Sequence, residues 1–133
     1  MADIELVKEW FKYSNNDYLS AKNLFEEMWP KQLEISCYHC QQSAEKALKA
    51  YLLFKDIDPP HIHDLQRLSK LCADYDSSFA SIFDLCSSIT DFSVVSRYPN
   101  ELDVDEVITK AAIEKAKLIY DFSFEKVFAA ENL

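Results

Sequence analysis

The residues best placed to do chemistry sit in one proline-free stretch, Gln32 to Asp56. His39, Gln42, Lys46 and Lys49 follow one another there at steps of three or four. On an α-helix that spacing puts an imidazole, an amide and two ammonium groups on one face, with Glu45 one step round and in i,i+4 reach of Lys49. Such a set could form a site offering an imidazole, an amide, two ammonium groups and a carboxylate. It also fits a solvated strip carrying one Glu–Lys pair, worth a few tenths of a kcal/mol. Pro59-Pro60-His61-Ile62-His63-Asp64 is a second candidate. Two histidines beside an Asp resemble part of a metal site that still needs a third ligand; alternatively, His63 holds the loop while Asp64 caps the next helix. The third is Arg97-Tyr98-Pro99. An Arg set in an extended segment by the following proline suits an anion, and an internal salt bridge with the many neighbouring carboxylates suits it equally. No Ser-His-Asp order, nucleophile elbow, HExxH or paired-carboxylate motif occurs.

These groups need a scaffold, and the composition points to helices. The chain has 133 residues, enough for one domain with a core of its own. Hydrophobic residues make up 49 % and glycine is absent. Tight hairpins and phosphate-cradling loops lean on positive φ, which glycine supplies at least cost, so hairpins, a Rossmann crossover or a P-loop are disfavoured. A formal net charge of −9 argues against strong non-specific nucleic-acid binding. The four cysteines are Cys37, Cys40, Cys72 and Cys86, with no signal peptide or disulfide-dense spacing, which points to a reducing cytoplasm. Cys37 and Cys40 form a C-x-x-C, but both fall on an apolar helical arc and read as core. No apolar run is long enough to span a membrane.

Periodicity predicts a first helix from about Asp3, as N-cap, to Met28, with Ile4, Val7, Phe11, Tyr18, Ala21, Phe25 and Met28 inward and Ser14 as a polar gap. Gln32–Asp56 forms the central helix, its apolar arc made by Leu33, Cys37, Cys40, Ala44, Ala47, Leu48, Tyr51 and Leu52. Gln41 falls inside that arc. It needs a partner there, on a neighbouring helix or on the Ser93–Asp103 backbone. A short helix capped by Asp64 follows, then a third long one with Phe79, Ile82, Phe83, Cys86, Ile89 and Phe92. The last helix starts near Asp103, with Val104, Ile108, Ala111, Lys115, Leu118, Phe122 and Val127 inward. The expected fold is an all-α, up-and-down four-helix bundle with one additional short helix, spanning 1–133 as a single domain.

With the elements in place, the chain resembles a known family. Asp17-Tyr18-Leu19 with Ala21, Cys37-Tyr38-His39-Cys40-Gln41-Gln42-Ser43-Ala44-Glu45-Lys46-Ala47-Leu48-Lys49-Ala50, His63-Asp64-Leu65 with Leu68, and Arg97-Tyr98-Pro99 are similar, in order, to the motifs of the HEPN domain. The resemblance implies a helical bundle, often a homodimer, frequently encoded beside a minimal nucleotidyltransferase in toxin–antitoxin-like two-component systems. Many such proteins are metal-independent ribonucleases whose motif is an Arg followed four to six residues later by a His. Here no His follows Arg97 or Arg67 at that spacing, and none occurs beyond Arg97 at all. The expectation is therefore a non-catalytic binding or accessory protein without cofactor or metal. Gln42, Glu45, Lys46, Lys49, His63 and Arg97 would hold a nucleotide or similar phosphorylated ligand, and the partners would be a second copy and a minimal nucleotidyltransferase. The alternative is a divergent ribonuclease pairing Arg97 with His39 or His63.

Overall fold

The computed structural model describes residues 2–90, 92 and 104–131. Among them are five α-helices and no strand: α1 (Ile4–Glu26), α2 (Leu33–Phe54), α3 (Leu65–Tyr75), α4 (Phe83–Ile89) and α5 (Glu106–Glu131), with a 3-10 segment, Ser77–Ile82, leading into α4. The all-helical class read from a chain without glycine is what the structure shows. Among the described residues no helix is long and apolar enough to cross a membrane.

α2 is the axis of the bundle. Cys37, Cys40, Ala44, Ala47, Leu48, Ala50, Tyr51 and Leu52 are all buried, because α1, α5 and α3 pack around it. Its small residues let α1 approach closely. Ser14 Oγ donates to the Ser43 carbonyl at 2.6 Å, and Ser36 Oγ donates to the Ala21 carbonyl at 2.7 Å. These two bonds fix the antiparallel register of α1 on α2. The polar gap at Ser14 is thus a buried tie between helices. Both of these serine hydroxyls find an acceptor, as burial requires.

Local signals set the helix ends. The Asp3 carboxylate accepts from the Glu5 and Leu6 amides and starts α1, and Asp64 accepts from the Gln66 and Arg67 amides and starts α3. α2 ends without glycine: Asp56 takes φ 62°, Asp56 N–H donates to the Leu53 carbonyl and Ile57 N–H to that of Leu52. That is a Schellman closure with aspartate in the left-handed position that glycine usually fills. It turns the chain into the Pro59–Asp64 loop.

Three expectations need correction. Met28, expected on the inward face of the first helix, lies past the end of α1 at Glu26 and is exposed. The predicted third long helix opens instead as the 3-10 segment and continues as a seven-residue α-helix. Asp76 accepts from both the amide and hydroxyl of Ser78, and Ser81 Oγ donates back to the Ser78 carbonyl, which favours tight local turns over a regular helical start. Phe79, Ile82, Cys86 and Ile89 still face the core. On α5 the expected inward set is rotated: Ile108 and Leu118 are exposed, whereas Thr109, Ala112, Ile113, Ala116, Ile119, Ser123 and Val127 are buried. Small residues mark the true contact line, since they allow α5 to lie close against α2. The larger ones cover its flanks, with Tyr120, Phe124 and Phe128 ringed around Phe11 of α1. The expectations placed on Ser93–Asp103, including Arg97, lie outside the described residues.

Candidate polar site on the central helix

The polar strip of α2 is not simply solvated. It is divided into two clusters, each built around one carboxylate that holds a lysine on one side and a histidine on the other.

The first cluster lies between helices. The register fixed by the two serine ties brings Asp17 of α1 over α2, between its His39 and Lys46. His39 Nδ1 lies 2.9 Å from Asp17 Oδ1, and Lys46 Nζ contacts Asp17 Oδ2. The Asp17 side chain is 12 % exposed, against 28 % for His39 and 31 % for Lys46. Burial works against the charge on Asp17. Hydrogen bonds from His39 and Lys46, and their positive charge, outweigh it and hold the carboxyl below its ordinary value. An ionised carboxylate at Nδ1 favours the tautomer with Nδ1–H and an open Nε2.

The second cluster ties α2 to the loop before α3. Glu45 Oε2 receives Lys49 Nζ at 3.2 Å, the expected i,i+4 pair, but both side chains are more than nine-tenths buried. Glu45 Oε1 takes His63 Nδ1 at 2.9 Å and Gln41 Nε2 at 3.1 Å. Gln41 Nε2 also donates to the His63 backbone carbonyl at 2.9 Å, and Gln42 Nε2 donates to Gln41 Oε1 at 2.7 Å. Gln41, fully buried, therefore braces the loop that follows α2; the Ser93–Asp103 backbone, its other expected partner, lies outside the described residues. His63 does hold its loop, as Asp64 caps α3, yet its ring remains 66 % exposed.

Of the predicted site residues, Gln42, Glu45, Lys49 and His63 thus share one network, Lys46 joins the neighbouring one, and Arg97 lies outside the described residues. The partner that sequence reasoning missed is Asp17. Asp17 opens the first of the family-like motifs quoted above, but its place opposite the α2 strip follows from the antiparallel α1–α2 pairing, which is tertiary information, not local. Among the described residues no group of three or more His, Cys, Asp or Glu side chains is arranged to hold a metal. The four cysteines are buried in the core, and burial pushes each thiol up, Cys86 to about 12. They are poor nucleophiles.

A groove of about 300 Å³ adjoins Lys46, lined by Leu6, Glu9, Trp10 and Tyr13 of α1.

Residues 7–127 match the HEPN domain family model. No curated protein matches the chain. Among solved structures, the fold is similar to that of ST0689, an archaeal HEPN homologue, with a TM-score of 0.70 and 23 % identity over 91 % of this chain and 97 % of that one. It is also similar to TT1696 from Thermus thermophilus, with a TM-score of 0.73 and 19 % identity over 90 % of this chain and 97 % of that one. At these identities the structural likeness speaks for the fold, while the sequence match covers nearly the whole chain. The chain belongs to the HEPN domain family.

Proposed function

We propose that this HEPN-family chain is a non-catalytic binding and accessory protein whose ligand is a nucleotide or another phosphorylated small molecule. It would work as a homodimer beside a minimal nucleotidyltransferase in a two-component, toxin–antitoxin-like system. The observation that carries the ligand half is the built polar face of α2. Both histidines have Nδ1 occupied by a carboxylate, and no described residue takes Nε2. Among the described residues of this face the two lysines and two carboxylates cancel, so its charge is set by its imidazoles. A phosphate arriving there would take hydrogen bonds from protonated Nε2 groups and from Gln42, while Lys46, partly exposed, could turn from Asp17 towards it. Arg97 would grip it bidentately. Glu45 and Lys49, being buried, would position His63 instead of touching the ligand. The partner half is supported by family membership alone.

Titration calorimetry with a nucleotide panel and inorganic phosphate tests the ligand half. Saturable heat with at least one member, weakened in Lys46→Ala and His63→Ala, is expected; no heat with any member removes it. Co-expression with a minimal nucleotidyltransferase encoded in the adjacent reading frame, followed by size-exclusion chromatography, tests the partner half: separate elution rejects it.

The Asp17–His39 pair favours a second reading, a divergent ribonuclease. An imidazole oriented by a carboxylate through Nδ1 is the arrangement of a general base. His39 Nε2 would take the 2′-hydroxyl proton as that oxygen attacks phosphorus and the 5′-oxygen leaves, taking a proton from water, with Arg97 holding the charge that develops. RNA cleavage by wild type, His39→Ala and Arg97→Ala decides it: equal, background-level activity in all three rejects the enzyme.

A further inference from the structure

α1 carries a second stripe that the bundle uses only in part, through Trp10, which packs partly buried against the core. Val7, Phe11, Ser14 and Ala21 face the core. Leu6, Trp10 and Tyr13 recur at i, i+4 and i+7 on the outside, with Leu6 39 % and Tyr13 49 % exposed. Together with Glu9 and Lys46 they line the groove described above. An outward apolar stripe at helical spacing is what a second amphipathic helix recognises.

Charge chooses between occupants. Lys46, the one cation lining the groove among the described residues, has its ammonium on Asp17. Glu9 has no hydrogen bond or ion pair among the described residues. The groove therefore offers aromatic surface and one uncompensated carboxylate, on a chain of net charge −9. A second acidic copy would bring like charge to it. A basic segment would not: a guanidinium can sit on aromatic surface and pair with a carboxylate at once.

We infer that the α1 groove is a docking surface for a basic amphipathic helix of a partner protein, with apolar anchors on Leu6, Trp10 and Tyr13 and an arginine on Glu9. This shares Lys46 with the phosphate reading but is tested apart from it, since it takes the opposite sign of charge, on Glu9 of α1.

Fluorescence anisotropy with the full chain and two labelled synthetic helices tests it. One helix carries leucine anchors flanked by arginines; the other has glutamate at every arginine position. Saturable, salt-sensitive binding of the basic helix alone is expected. Glu9→Lys and Tyr13→Ala should each weaken it about tenfold or more, whereas Asp74→Lys on α3 should leave it within about twofold. Circular dichroism confirms that the variants fold. Absence of saturable binding, equal binding of the acidic helix, or equal loss in Asp74→Lys would overturn the inference. So would self-association of the chain that Tyr13→Ala abolishes, because a second copy would then be the occupant.

Discussion

The two clusters on α2 use the same three groups and put them to different ends. In Lys46–Asp17–His39 the carboxylate comes from another helix, and the lysine and histidine are about 30 % exposed. In Lys49–Glu45–His63 the carboxylate and the ammonium lie on the same helix and are both more than nine-tenths buried, while the histidine stands largely in water. Burial decides what each can do. A buried ion pair has given up hydration on both sides and must stay paired, so the second cluster is a brace with one exposed tip. A partly exposed pair can open at little cost, so the first can exchange partners with a ligand.

The largest effect should come from the brace. Glu45→Ala leaves a buried ammonium without its partner and should cost about 3 kcal/mol or more in chemical denaturation. Replacing both members, Glu45→Leu with Lys49→Met, removes the orphaned charge and should recover much of that loss. If Glu45→Ala costs no more than a surface substitution, the two clusters do not differ in kind.

Asp17→Asn should cost less, about 1 kcal/mol at neutral pH, because its partners can turn to solvent. Its pH dependence has a definite sign. The folded carboxyl is held below its ordinary value of 3.8, so its contribution is present above that value and lost as pH falls through the lower folded one. The stability gap between wild type and Asp17→Asn should therefore narrow towards zero in acid. A gap independent of pH would mean that the pair contributes packing but little charge.

A smaller change should follow from Tyr51→Phe. The Tyr51 hydroxyl is buried with no hydrogen-bond partner among the described residues, and burial pushes its pKa up to about 12. Removing a buried, unsatisfied hydroxyl should leave stability within about 1 kcal/mol of wild type, or raise it. It thereby calibrates the first two predictions against a buried polar group that braces nothing.

How far the sequence reached follows the same division between local and tertiary information. Helix class, the Asp3 and Asp64 caps and the apolar arc of α2 were legible because each is set by neighbours within a turn or two. The Glu45–Lys49 pair was legible for that reason, but its burial was not, since the Pro59–Asp64 loop and the packed helices that enclose it are brought there by the fold. Asp17 was invisible as a site residue because its role depends on helix register. The rotated face of α5 escaped because alanines and Thr109, which let the helix pack closely, are buried there together with Ile113, Ile119 and Val127, while the equally apolar Ile108 and Leu118 are left outside, a choice hydrophobicity alone does not make.

The most direct test of the binding account is the long-range ¹H–¹⁵N NMR of the imidazoles while a phosphorylated ligand is added. Opening of the Lys46–Asp17–His39 cluster predicts that the His39 and His63 Nε2 resonances shift together and saturably, and that the Lys46→Ala variant shows weaker saturation with its fold intact. If neither Nε2 resonance moves with any nucleotide or with inorganic phosphate, the polar face of α2 is a structural brace from end to end and the binding account is wrong.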